Sequence, residues 1–353
     1  CPPGWRVENS RSPISFASGM IDPVGKLGRT SFALHHFVAR PSRILMGCAG
    51  DQIDKYLLPT VRGEKQECLA ITEPGAGSDV RGMTTTARRD GDDWVVNGTK
   101  YYSTGSIFAD WIDLYAQRDD TGADVIAAVR VQQPGITQSD DWDGFGQRTT
   151  GSGTSVFENA VVEPENLLDF ATRFKYQTAF YQLVLLAVQT GAGRAAVNDI
   201  TEEVRTRTRI FSTGNASHVS QDVQVQQVVG KASAQVYAAH ATTLRAATAL
   251  QVAYESRFIH DEVAEREANI AAELESAQAQ VVIADLVLRA TSELFNALSA
   301  SATSTGKAFD RHWRNARTAA SHNPLIYKER IIGDWEINGT EPPYVWQIGA
   351  GTK

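Results

Sequence analysis

The sequence predicts an α+β chain of several domains: a partial N-terminal helical domain, a central β-barrel or sandwich domain, and a C-terminal four-helix bundle. Two changes in hydrophobic pattern carry this expectation. Near residue 66, helix-spaced apolar residues give way to short alternating runs separated by glycine and Asx turns. Near residue 172 the strand signals stop and long alanine-rich amphipathic stretches begin. The domains are therefore drawn at 1–65, 66–171 and 172–353.

Residues 1–20 are rich in Pro, Ser and Arg and read as irregular. Over 27–65 the apolar positions Phe32, Phe37 and Ile44, then Tyr56, Leu57 and Leu58 before Pro59, have helical spacing; Pro41 breaks or starts a helix. In the next zone Asp90-Gly-Asp-Asp reads as a turn, Trp94-Val-Val as a strand and Asn97-Gly98 as a tight turn. Further strands are expected at Trp111–Tyr115, Val125–Val131 and Thr154–Phe157. Helices are expected over about 173–209, 220–256, 262–305 and 308–322, enough for an up-down bundle, with 211–219 the mobile loop.

Composition narrows the function. Hydrophobic residues make up 42% and charged residues 21%, ordinary values for a globular chain, and 353 residues suffice for two or three domains. A net charge of −7 argues against nucleic acid or an anionic membrane as a main partner. The three cysteines, Cys1, Cys48 and Cys68, cannot all pair and lack metal-ligand spacing, so no metal and a reduced cytoplasmic setting are expected. No apolar run reaches membrane-spanning length and no signal-peptide pattern opens the chain. With Cys and not Met as its first residue, the chain is expected to be a fragment or a processed form.

Four segments carry the chemistry. Ala70-Ile-Thr-Glu-Pro-Gly-Ala-Gly-Ser-Asp79 and Asn97-Gly-Thr-Lys-Tyr-Tyr-Ser-Thr-Gly105 are polar glycine-rich loops beside strand-like sequence. Their glycines allow close backbone approach, and Thr72, Ser78 and Thr104 offer small hydrogen-bonding groups, which suits a flat heteroaromatic ring. Asp140-Asp-Trp-Asp-Gly-Phe-Gly-Gln-Arg-Thr-Thr-Gly-Ser-Gly-Thr154 adds the planar face of Trp142 and the hydroxyls of Ser152 and Thr154. In the fourth, Phe309 to Pro324, Asp310 and Arg314 fall at i,i+4 as an internal pair. There Asn323-Pro324 ends one helix and suits the cap and first position of the next, leaving His322 at the joint.

Together these segments resemble the acyl-CoA dehydrogenase superfamily, from about Gly28 to Trp346, and within it the branch of dibenzothiophene monooxygenases and sulfur-acquisition oxidoreductases. The resemblance implies that Thr104 contacts the reactive edge of a flavin. It also implies that Thr72, Ser78, Trp142 and Ser152 hold the ring, that Arg209 contacts its phosphate, and that Ser301 lies in the cofactor-binding segment. Where the family's dehydrogenases carry a catalytic glutamate followed by glycine, this chain reads Ser321-His322-Asn323-Pro324; His322 matches a histidine of the monooxygenase branch. His36 resembles a second active-site histidine, with His35 as its competitor.

Ser299 and Ser301 stand where the dehydrogenases carry a glycine pair that receives FAD, so FMN is favoured and FAD stays open. The implied activity is that of a two-component monooxygenase. A separate NAD(P)H-dependent reductase would deliver reduced FMN, which with O2 forms a flavin hydroperoxide that oxygenates a small, organosulfur substrate. The alternatives are an acyl-CoA dehydrogenase and a catalytically silent flavin-binding paralogue. The resemblance further implies a homotetramer built through the bundle.

Overall fold

The computed structural model describes residues 64–65, 67–74, 83–170 and 174–344. The expected helical lead, with His35 and His36, lies outside the described residues except for positions 64 and 65, and Ser78 lies outside them too.

Eight strands form one mixed sheet: β1 (Glu67–Ala70), β2 (Thr86–Asp90), β3 (Asp93–Lys100), β4 (Trp111–Arg118), β5 (Asp124–Arg130), β6 (Ile136–Gln138), β7 (Ser155–Val162) and β8 (Leu167–Asp169). The order is β6-β7-β3-β2-β4-β5-β8, with β1 parallel to β4. Alternating residues such as Val96, Ile112, Leu114, Ala127 and Phe157 meet in one apolar core. The β2–β3 hairpin turns at Gly91, whose φ of 61° favours glycine.

The expected turn at Asn97-Gly98 is not a turn. Strand β3 runs on to Lys100, and its register against β7 shifts between Val96 and Gly98. Gly98 is needed because a Cβ there would collide with the Thr85 side chain. A tight turn and a bulge use the same residue types, and only the cross-strand partner distinguishes them.

The helices are α1 (Gln177–Thr206), α2 (Val223–Ser256), α3 (Glu262–Glu293), α4 (Asp310–Ser321) and α5 (Leu325–Asn338). Asp222 caps α2 by accepting from Gln224 N (2.9 Å), and Asp261 caps α3 by accepting from Val263 N and Ala264 N (3.0 and 3.1 Å). Helix α1 is buried along most of its length and packs against α2, α3 and α4. Leu183, Leu186, Leu250, Ile283 and Val287 belong to this core.

Two expectations for the bundle need correction. The helix drawn over 262–305 ends at Glu293, and two short 3-10 turns follow, Leu294–Ala297 and Ala300–Thr303. Between them Ser299 has φ 63° and ψ −165°, a conformation that excludes a continuous helix. The helix after the His322 joint begins at Leu325, with Pro324 as its cap and not its first residue. Asn323 does not cap it: its side chain turns inward and donates to Gln182 Oε1 (2.7 Å).

One face of α1 carries Asp199 and Glu203 at successive turns, and Arg207 follows as the C-cap just past the helix end. Asp199 pairs with Arg311 and with buried His312 (2.9 Å), and Glu203 pairs with Lys307. The His312 hydrogen bond, aided by Arg311, holds the Asp199 carboxyl below its ordinary pKa. Arg207 donates to Leu298 O (2.7 Å), Ser301 Oγ (2.7 Å) and Ser299 Oγ (3.2 Å). The segment from Leu298 to His312 is thereby fixed, rung by rung, to α1.

Candidate functional site

The site is built on a buried ion pair. Glu73 and Lys100 are 3% and 0% exposed, with Lys100 Nζ 2.8 Å from Glu73 Oε1. The same carboxylate accepts from Thr84 N (2.7 Å), Thr84 Oγ1 (2.8 Å), Thr85 N (3.0 Å) and Thr85 Oγ1 (2.5 Å). Burial alone would raise its pKa, but these donors, led by Lys100, outweigh that and hold it at about 2. Burial pushes Lys100 down to about 8, with Glu73 opposing. Glu73 thus ties residues 84 and 85 to the first polar loop.

The first loop is in turn tied to the second. Lys100 Nζ donates to Ile71 O (3.1 Å) and Tyr101 N to Thr72 O (2.7 Å), so Thr72 lies beside the strand end that leads to Thr104. Beyond Lys100 the backbone turns sharply. Tyr102 has φ 57°, and Thr104 N donates to Tyr102 O (2.8 Å). The Tyr102 ring is 48% exposed and meets Trp142 edge to face, with centroids 5.4 Å apart.

Three hydroxyls from the two loops form a buried chain. Ser152 Oγ donates to Thr104 Oγ1 (2.8 Å), and Thr150 Oγ1 is 2.6 Å from Ser152 Oγ. Backbone bonds lock the loops together: Ser103 N donates to Gly153 O (3.2 Å) and Gly105 N to Thr150 O (2.9 Å). Two neighbouring buried hydroxyls, Ser103 Oγ and Ser106 Oγ, have no hydrogen-bond partner among the described residues. A wall of uncharged hydroxyl donors beside exposed aromatic faces fits a flavin ring, which offers carbonyl and ring-nitrogen acceptors on a flat apolar body.

The 145–152 loop also docks on α4. Gln147 N donates to Asn315 Oδ1 (2.8 Å), Gln147 Nε2 to Asn315 O (3.1 Å), and Arg314 Nη1 to Phe145 O (3.1 Å). Gly146 lies so close to the Arg314 carbonyl that no Cβ would fit. Phe145 stacks on Trp313 at 5.9 Å. His322 lies seven residues beyond Asn315, two helical turns along the same face. It is exposed at the end of α4, and the protein around it lowers its pKa by desolvation. Its neighbour Asn323 is buried and held on both sides, donating to Gln182 and accepting from Gln280 Nε2 at its carbonyl (2.8 Å).

The expected site residues divide into two groups. Thr72, Thr104, Trp142 and Ser152 gather in the loops that the sheet presents to α4, and His322 stands at the C-terminal end of that helix. Trp142 is held there by an indole N–H bond to Gly146 O (3.1 Å). Thr154, by contrast, bonds both its N–H and its hydroxyl to Asp141 (2.7 Å each), so its hydroxyl is committed to the loop. Ser301 is committed to Arg207. The Arg209 side chain is exposed, without an ion-pair partner among the described residues. The Asp310–Arg314 pair forms as expected, at 2.8 Å.

Sequence reasoning missed Glu73, Lys100, Tyr102, Gln147, Thr150 and Asn315. Thr150 stands two residues from Ser152, and that adjacency was the available signal. Gln147 and Asn315 are 168 residues apart, and nothing local joins them. Among the described residues no group of three potential ligands could hold a metal, and no helix is long and apolar enough to cross a membrane.

Comparison with known proteins identifies the family. Residues 68–160 match the family model described as acyl-CoA dehydrogenase, middle domain, and residues 183–325 match acyl-CoA dehydrogenase, C-terminal domain. The chain is 28% identical over 275 residues to dibenzothiophene monooxygenase of Mycolicibacterium goodii, covering 74% of this chain and 65% of that protein. It is 27% identical over 266 residues to a Pseudomonas putida protein named "Probable FMNH2-dependent monooxygenase SfnC", covering 73% of this chain and 66% of that protein. The structure resembles that of TdsC from Paenibacillus sp. A11-2 in complex with FMN and indole. There the TM-score is 0.82 and the identity 25%, over 94% of this chain and 85% of TdsC. The match thus spans just under two thirds of the first of these relatives. On its two matched domains, its fold and these relatives, the chain belongs to the acyl-CoA dehydrogenase superfamily and groups with its flavin-dependent monooxygenase branch.

Proposed function

We propose that the protein is the oxygenase component of a two-component flavin monooxygenase, taking reduced FMN from a separate NAD(P)H-dependent reductase and oxygenating a small organosulfur compound. The observation that carries this is the presence of a hydroxyl wall at Thr104 and Ser152 together with a histidine, and no carboxylate, at the α4–α5 joint. When bound, reduced flavin supplies the electrons that activate O2. The chain's task is then to orient the ring, exclude water and hold a proton donor or acceptor beside it. Thr104 is the hydroxyl aimed at the reactive edge, Thr72, Ser78 and Trp142 bear on the ring, and Arg209 is the phosphate contact. His322, with His36 in the lead segment, positions the substrate and exchanges a proton with it.

A dehydrogenase needs a carboxylate base at this joint. Asn323 is buried and fully engaged, and Asp310, at the far end of α4, is about 18 Å away along the axis and paired with Arg314. FMN is preferred to FAD because Ser299 and Ser301, where the dehydrogenases have glycines, are bonded to Arg207. The reading includes a homotetramer in the cytoplasm. Exposed apolar side chains on the bundle support the assembly: Tyr237, Val252, Val263 and Ile337 are 75%, 52%, 65% and 81% exposed.

The test is to mix the anaerobic protein with reduced FMN, admit labelled O2 with a thioether or a sulfone, and examine the product by mass spectrometry. One labelled oxygen atom in the product is expected. Unlabelled product, or bleaching of bound oxidised flavin by an acyl-CoA thioester, would transfer the assignment to the dehydrogenase reading.

A further inference from the structure

We infer that Thr150 is a positioning residue, the head of a one-way hydroxyl chain through Ser152 that fixes Thr104 as a hydrogen-bond donor to bound flavin. This rests on the flavin reading above and adds to it a direction, the residue Thr150 and, in place of the ring contact expected of Ser152, an action through Thr104. Each hydroxyl has one proton and two lone pairs. Ser152 spends its proton on Thr104 Oγ1 at 2.8 Å. Its 2.6 Å contact with Thr150 Oγ1 must then be one it accepts, so Thr150 donates. Thr104, already accepting from Ser152, keeps its own proton. Its acceptor within the protein is Tyr102 O at 3.4 Å, the outer limit of a hydrogen bond.

The opposite direction fails on accounting. If Thr104 donated to Ser152 and Ser152 to Thr150, the hydroxyl proton of Thr150, a residue 1% exposed, would have no further acceptor among the described residues. A buried unpaired donor is costly, whereas the forward chain pairs every proton except the one nearest the site. Successive bonds in one direction also polarise one another, making the last hydroxyl a better donor than an isolated threonine. Ser152 therefore acts on the cofactor through Thr104. Thr150, on the loop that Gln147 docks against α4, ties that donor to the placement of the helix.

Flavin titration of a double-mutant cycle tests this, with bound oxidised FMN followed by fluorescence and by its absorption maximum. Thr104→Val should weaken binding about tenfold, the scale of one ligand hydrogen bond, and shift the maximum. Thr150→Val should weaken it about threefold and shift the maximum in the same sense, and Thr150→Ser should restore both. Adding Thr150→Val to Thr104→Val should change nothing more. Should Thr150→Val fold poorly, Ser152→Ala breaks the chain at its middle and should reproduce the same pattern. Additive losses, or failure of Thr150→Ser to restore the spectrum, would overturn the relay while leaving FMN binding intact. A wild-type protein that binds no FMN would remove the flavin reading and the relay together.

Discussion

Replacing Glu73 by glutamine tests the foundation of the site most directly. Five donors converge on the two carboxylate oxygens: two backbone N–H groups, two hydroxyls and the Lys100 ammonium. A glutamine offers one acceptor oxygen and turns an NH2 group toward donors, whichever way it is flipped. Lys100, 0% exposed, then keeps its charge without a counter-charge or loses its proton. The Glu73 carboxyl is held at about 2 against an ordinary 4.5, and at about 1.4 kcal/mol per pH unit that gap is about 3 kcal/mol. Breaking a buried pair from one side costs a similar amount.

A depressed carboxylate pKa means stability that is present in full above 4.5 and lost as pH falls towards 2. Guanidinium unfolding at neutral pH should therefore show Glu73→Gln less stable by about 3 kcal/mol, with the gap closing as pH falls through that window. Adding Lys100→Met should recover part of the loss, because the stranded charge is gone. A variant within about 1 kcal/mol of wild type at neutral pH, or a gap indifferent to acid, would refute the reasoning.

Three further outcomes are expected. His322→Ala should cut product formation on the order of 10²-fold and raise released hydrogen peroxide, with FMN affinity and melting temperature near wild type; normal coupling would remove His322 from the site. Desolvation lowers the His322 pKa, so the imidazole is neutral at pH 7. Activity should hold steady down to the ordinary histidine range and fall only below it, and a decline already evident between pH 8 and 7 would contradict this. Gly146→Ala should push the loop off the Arg314 carbonyl and destabilise the protein by about 1–3 kcal/mol, as judged by thermal melting alongside FMN affinity. An alanine tolerated without change in either would show that the loop can yield.

The parts of the fold that were legible are those with a strong period. Helices α1, α2 and α3 carry apolar residues at helical spacing over thirty residues or more, and β4 and β5 hold β-branched and aromatic runs. Strands β1, β6 and β8, with four, three and three residues, are too short to display alternation. The end of α3 was overrun because alanines continue past Glu293, while the break is set by the backbone at Ser299 and its bond to Arg207. In the site, Thr104 and Ser152 were legible because each sits in a polar glycine-containing loop. Thr150, Gln147 and Asn315 were not, since their value lies in tertiary partners and not in local composition. Thr154 misled for the same reason: its hydroxyl is claimed by Asp141, and no spacing rule reveals that.

The rungs from Asp199, Glu203 and Arg207 give α4 an origin from which distance along its axis is counted. Apolar helix faces can slide by a fraction of a turn and still bury similar area, but an aspartate, a glutamate and an arginine matched to His312, Lys307 and Ser301 cannot all shift together. His312 therefore sits at a fixed station, and His322 follows ten residues on, through helix and joint. An added residue among Thr303 to Gly306 can bulge into solvent and leave that count unchanged. The same residue added between Asn315 and Ser321 would carry His322 about 100° around the axis and out of its present direction. Length variation among natural relatives should thus be confined to the near side of Lys307, a ruler that sequence alignment can read without any assay.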